Sequence, residues 1–226
     1  MNDALTAVAL TLKLATITSV ILIIIALPVS WWLANWQHKA KAYLLSLLTL
    51  PLVLPPTVLG FYLLVLFSPQ SAFGGLWIEL TGQQLTFSFV GLVIASLIYS
   101  LPFAIQPLYS GFLQFDKRYL DVAKTMGIPR LARLRTILLP LMKAPMVVAF
   151  GLSFAHTLGE FGVVLMIGGN IPGETKVISI ALYDQVEAMN YTQAHYLAGG
   201  LLLFSFALLA ILYRFNGSVA NASHQR

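Results

Sequence analysis

Polar positions are sparse along this chain, and they separate long apolar stretches instead of alternating with them. No charge falls within residues 14–38, 42–78, 80–115 or 188–213, and Ala144 to Ile167 holds a single one, Glu160. Roughly 20 apolar residues cross ~30 Å of hydrocarbon, and the core of a soluble helical bundle does not account for runs this long. A segment in lipid must satisfy its own backbone hydrogen bonds, which leaves helices or closed barrels. Barrel strands alternate in segments of about 10 residues, and these runs do not alternate. The pattern predicts an all-α, polytopic membrane protein with five transmembrane helices, near 8–35, 43–67, 86–110, 141–167 and 193–214. Ser68-Pro69-Gln70 ends the second, Phe73-Gly74-Gly75 continues that turn, and the third follows Thr81-Gly82-Gln83-Gln84.

Composition agrees. Of 226 residues, 58% are hydrophobic and 9% charged, where a soluble domain has about 25% charged; the mean hydropathy is +0.84. There is no cysteine, so neither disulfides nor thiolate metal sites are available. No basic segment precedes the first apolar run and no small-residue cleavage site follows it, so the first helix is expected to serve as the insertion signal. Without repeats or low-complexity segments the chain reads as one domain, 1–226, with a core over 8–214 and a polar tail, 216–226, expected to fray.

Charge placement orients the bundle. Eleven of the thirteen Lys and Arg lie in three places: Lys39 and Lys41; Lys117 to Lys143; and Arg214 with Arg226. The opposite loops hold Asp3, Glu79, Glu174, Asp184 and Glu187, with Lys13 and Lys176 as their cations. Basic loops stay cytoplasmic, which places the N-terminus outside, in the periplasm, and the C-terminus in the cytoplasm. The positive charge then reflects topology, and no nucleic-acid partner is read from it.

The basic loop 116–140 is the most informative segment. Asp116 can cap a short helix in which Leu120, Ala123 and Met126 recur on one face. Gly127 suits the left-handed position that ends a helix, and Pro129 cannot continue it. Arg130 to Leu138 can form a second helix, with Leu131, Leu134 and Ile137 on one side and Arg133 and Arg135 toward the other. Periodicity alone is satisfied equally by an amphipathic loop resting on anionic lipid and by a protein contact.

Spacing separates them. Asp121-Val122-Ala123, three residues, Gly127, nine residues and Ile137-Leu138-Leu139-Pro140 closely resemble the EAA motif of bacterial ABC importer permeases, Glu-Ala-Ala, Gly and Ile-x-Leu-Pro at the same intervals. Asp121 keeps the carboxylate of the motif's Glu; Val122 adds bulk in place of Ala. The resemblance implies a type I importer permease fold in which this loop is a coupling helix docked in a groove of a separate ATPase. Asp121, Ala123, Gly127, Ile137, Leu139 and Pro140 are its candidate coupling residues.

The resemblance covers roughly residues 8–214. Pro51 to Gly60 is similar to the proline-rich core helix of molybdate and sulfate permeases, and Leu158-Gly159-Glu160-Phe161-Gly162 to a segment after their coupling loop. Gly169 to Thr175 is closer to the molybdate branch. Pro55, Pro56, Thr57, Glu160 and Asn170 are thereby candidates for a translocation pathway; prolines and glycines there serve equally as kinks or close helix contacts. Glu160 is the one acid inside a span, with His156 a turn before it. It can line a path or, the better reading, brace a helix break at Gly159–Gly162. His156 and Glu160 lack a third ligand, so no metal or other cofactor is expected.

Gly168 to Thr175 also carries the spacing of a phosphate-binding loop, but Glu174 stands where a Lys is required. With no nucleotide site of its own, a permease of this kind is no enzyme and draws energy from a partner. The resemblance implies two cytoplasmic ATP-binding subunits, a periplasmic molybdate-binding protein, a homodimer of this chain and a location in the bacterial inner membrane. A tungstate, sulfate or thiosulfate permease is the alternative. An intramembrane hydrolase would need ionisable groups from several helices, and a structural membrane protein gives no reason for the Gly127–Pro140 spacing.

Overall fold

The computed structural model describes residues 2–224, and side chains over 3–214. All regular elements among these residues are helical. The first helix, α1, spans Asn2–Asn35; at 1.5 Å per residue it runs about 51 Å, well beyond ~30 Å of hydrocarbon.

The second apolar run departs from the expected continuous helix over 43–67. It comprises α2 (Lys41–Thr49), a 3-10 turn (Leu50–Leu52) and α3 (Pro56–Phe67), bent by 104°. Prolines cause the bend. Pro55 and Pro56 donate no N–H, and a proline disfavours the helical region for the residue before it; Pro55, before Pro56, sits at ψ 135°. Hydropathy registers that this run is apolar but not that it changes direction.

Phe73-Gly74-Gly75 does not extend the following turn. It forms the start of α4 (Ala72–Thr81), because the Ser71 hydroxyl caps the helix by accepting the Gly74 N–H at 2.8 Å. Ser88 caps α5 (Phe89–Gln114) in the same way, accepting from Gly91 at 3.1 Å. The loop region holds α6 (Arg118–Thr125), then α7 (Arg130–Arg133), a π turn (Leu134–Leu138) and α8 (Leu139–Leu141). The fourth run divides into α9 (Lys143–Leu158) and α10 (Gly162–Gly168), broken where Gly159–Gly162 is expected to break it. A short α11 (Ile178–Glu187) follows.

The last helix, α12 (Tyr191–His224), continues past 214 through residues expected to fray. Nothing in 216–224 stops it: Gly217 costs about 1 kcal/mol in a helix, and each added residue gains a backbone bond. Residues 225 and 226 of the polar tail lie outside the described residues. By length and composition, α1, α5 and α12 can each cross a membrane singly; the count reaches five if the bent pairs over 41–67 and 130–158, the second of which takes in the end of the loop, each count as one span.

Helix α1 packs along α5 and α9, α3 lies on α10, and α12 follows α9 and α11. One buried cluster, including Leu14, Leu63, Leu92 and Ile167, joins α1, α3, α5 and α10. A second, including Leu22, Leu108, Leu138 and Met142, joins α1 and α5 to the end of the loop. Leu202, Leu203 and Phe206 of α12 point outward, as lipid-facing positions do.

Candidate functional site

The loop builds its corner from backbone geometry. The Asp116 carboxylate accepts the Arg118 backbone N–H at 3.0 Å and its guanidinium at 2.9 Å. These bonds, the side-chain one foremost, hold the Asp116 carboxyl below the usual carboxylate range. At the other end of α6, Ile128 N–H donates to Ala123 O at 3.0 Å and Gly127 N–H to Lys124 O at 3.1 Å. That pair of bonds is the Schellman motif, whose left-handed residue is usually glycine. Gly127 occupies it with φ +73°, and a Cβ there would meet nothing within 4 Å. Conformation, not clearance, is what asks for glycine.

The faces differ in part from those expected. Ala123 is buried and Leu120 half-buried, but Met126 is 71% exposed and shares an outward apolar surface with Tyr119 and Val122. Leu131 is also exposed, whereas Arg133 is half-buried with its Nε enclosed and unpartnered. The π turn shifts the register of the second helix, so that Leu138 turns inward. Ala123 and Ile137 line one open groove together with Tyr119, Val122 and Met126. Asp121 and Gly127 are exposed beside it. Leu139 and Pro140 instead line a separate groove against α1 and α12. The six candidate coupling residues therefore occupy two adjoining surfaces.

The pathway candidates are grouped unevenly. Pro55, Pro56 and Thr57 are exposed at the 104° corner. Gly162 lies against that corner: a Cβ on it would come within 2.9 Å of Pro56 Cβ. The corner and the α9–α10 break thus touch. Glu160, two residues earlier, is only 3% exposed. Its Oε2 accepts the Ser96 hydroxyl at 2.9 Å, and its backbone carbonyl accepts the Ser179 hydroxyl at 2.6 Å. Oε1 has no hydrogen-bond partner. Glu160 thus ties the break to α5 and α11.

His156 does not join it in a metal-binding set. Its Nδ1 pairs with Ser100 Oγ at 2.8 Å, and its ring packs against Tyr99 and Phe103, at 4.6 and 4.1 Å between centroids. Among the described residues, no group of three His, Cys, Asp or Glu could hold a metal ion.

Asn170 is turned elsewhere. Its amide donates to both Asp184 oxygens, at 2.9 and 3.0 Å, and Lys176 pairs with the same carboxylate. Thr175, within the spacing that imitates a phosphate loop, is fully buried; its hydroxyl donates to Gly168 O at 2.7 Å and accepts Ile171 N–H at 3.2 Å. It closes a compact turn. Lys13 lies 4.6 Å from the centre of the Phe89 ring. Sequence reasoning missed Ser96, Ser100, Ser179 and Thr175. For the three serines the one sequence signal is a hydroxyl placed in an apolar run or helix, which is shared by many hydroxyls that only bond back to their own helix; Thr175, between Glu174 and Lys176, carries none.

Three to five apolar spans, with a structured loop at one end, define a polytopic α-helical membrane protein. A family model described as "binding-protein-dependent transport system inner membrane component" matches residues 26–219, and the chain belongs to that family. It is 49% identical over 209 residues to the molybdenum transport system permease protein ModB of Azotobacter vinelandii, covering 92% of each chain. It is 32% identical over 220 residues to ModB of Escherichia coli (strain K12), covering 97% of this chain and 95% of that one. The sulfate transport system permease protein CysT of Salmonella typhimurium is 30% identical over 199 residues, or 88% of this chain and 72% of that protein. A crystal structure of a bacterial ABC transporter importing the polysaccharide alginate shares the fold, with TM-score 0.71 at 12% identity over 98% of this chain and 80% of that one.

Proposed function

We propose that this chain is the permease of an ATP-driven importer for molybdate. The observation that carries the substrate is the 49% identity to a molybdenum permease over 92% of both chains, against 30% to a sulfate permease. Two copies form the pathway between them, since five helices enclose little alone. Each presents loop 116–140 to one of two cytoplasmic ATPase subunits, and a periplasmic binding protein delivers the anion. The N-terminus is periplasmic and the C-terminus cytoplasmic. Asp121, Ala123, Gly127, Ile137, Leu139 and Pro140 carry coupling; the exposed Tyr119, Val122 and Met126 add apolar surface for the ATPase.

Pro55, Pro56 and Thr57 border the path at the corner, while Glu160 and Asn170 act on it by positioning the break and the outer loop. Lys176 is paired with Asp184, so neutral donors handle the dianion. Weak binding suits a conduit that must release what it takes up. Selectivity then resides mainly in the binding protein.

Cells lacking the chain should lose high-affinity molybdate uptake and recover on excess molybdate. Sulfate auxotrophy with molybdenum enzymes intact would instead favour a sulfate permease. For orientation, cysteines placed at Gln70 and Asn190 should react with an impermeant thiol reagent from the periplasm and one at Arg130 should not; the reverse pattern inverts the topology. For coupling, Gly127→Val, forced into a left-handed conformation costing about 1–2 kcal/mol, should insert but lose transport-coupled ATP hydrolysis. Gly127→Asn should retain most of it. Normal transport by Gly127→Val would remove the coupling role.

A further inference from the structure

A groove of about 590 Å³ opens on the outside of the bundle between α1, α9 and α12. Its walls are Val20, Ile23 and Ile24 on one side and Leu208, Ile211 and Leu212 on another, with Val147, Phe150 and Gly151 between them. Leu139 and Pro140, the last residues of the coupling motif, close one end, and Lys143 stands beside them. Lys143 is exposed at the start of α9, and neither ion pair among the described residues involves it.

We propose that this groove is a binding site for an anionic phospholipid, with an acyl chain along the α1–α9–α12 walls and the headgroup phosphate on Lys143. Three observations select this occupant. The cleft is lined almost wholly by apolar side chains, and in a membrane it meets lipid tails first. One cation stands at the end where the span gives way to the polar loop, the level at which lysines reach phospholipid headgroups. A helix of another protein is a poorer fit. Helix association in lipid relies on stripes of small residues or interhelical hydrogen bonds, and apart from Gly151 and Lys143 the walls offer neither.

The lipid would sit between α12 and the end of the loop, filling space that Leu139 and Pro140 would otherwise enter when the loop moves. The site is separate from the surface of Tyr119, Val122 and Met126 assigned to the ATPase, and it stands even if the transported anion is not molybdate.

The test uses the assembled transporter, reconstituted in vesicles of equal phosphatidylcholine and phosphatidylglycerol, extracted mildly and analysed for retained lipid by native mass spectrometry. The wild type should retain phosphatidylglycerol several-fold over phosphatidylcholine. Lys143→Ala should bring that ratio to the bulk value, and Lys143→Arg should preserve it. Val147→Trp, which fills the groove, should release the lipid of either kind. No preference in the wild type, or an unchanged preference in Lys143→Ala, would overturn the proposal. The chain has no native cysteine, so Val147→Cys reports on another occupant. Efficient disulfide-linked dimers in the membrane would place a second copy in the groove, also overturning the proposal; monomers are expected.

Discussion

At the corner before α3 the chain turns by 104° around Pro55 and Pro56, both exposed. At the break between α9 and α10 it interrupts a span around Glu160, which is buried and bonded to Ser96 and to Ser179. Covalent geometry favours the first interruption: two consecutive prolines remove two donors and disfavour the helical conformation upstream, where single prolines such as Pro28, Pro102 and Pro107 are accommodated inside helices. Tertiary hydrogen bonds hold the second, and they exist only when α5 and α11 are in place. The two meet where Gly162 lies against Pro56. A corner fixed by its own backbone can move as a rigid piece, while a break held by hydroxyls can change partners. Of the two, we propose the Glu160 break as the hinge.

Glu160→Ala should distinguish them most strongly. It removes the acceptor for Ser96 and leaves a void in a buried site, at a cost of about 2–3 kcal/mol. The thermal midpoint of the purified transporter should fall, and transport should fall more than ~10-fold, the factor that 1.4 kcal/mol represents. Glu160→Gln keeps an acceptor and most of the volume, so it should recover most of both. If alanine and glutamine behave alike, the hydrogen bond is not what holds the break.

Gly162→Val comes next. Its added methyl groups enter the Pro56 contact and should push α3 from α10 at about 1–2 kcal/mol of overpacking. Transport should weaken while Gly127-dependent assembly with the ATPase is unchanged. Loss of assembly would show that the corner and the loop are not separable. Pro55→Ala should do least, at most about 1 kcal/mol, because Pro51 and Pro56 still prevent a straight helix. A large loss of transport would make Pro55 itself a pathway residue.

The same contrast explains what was legible in the sequence. The five apolar runs and the Gly127 turn rest on local chemistry, and residues close in sequence reveal them; the glycines at 159 and 162 mark where the break falls but not the bonds that hold it. The direction of the corner was not legible over 43–67, since an apolar run scores alike whether straight or folded. Ser71 and Ser88 carried cap signals that the glycines beside them concealed. The partners of Glu160 lie 64 and 19 residues away, and no spacing rule joins such positions. In the loop, the π turn over Leu134–Leu138 sets the inward turn of Leu138, which the 3.6-residue period does not foresee.

ATP-dependent uptake of labelled molybdate into vesicles that hold this chain with an ATPase and a binding protein decides whether it is a molybdate permease. Uptake should stop without ATP, be competed strongly by unlabelled tungstate and weakly by sulfate, and collapse in Gly127→Val. Uptake that sulfate blocks as well as tungstate does, or that proceeds unchanged in Gly127→Val, would contradict that reading.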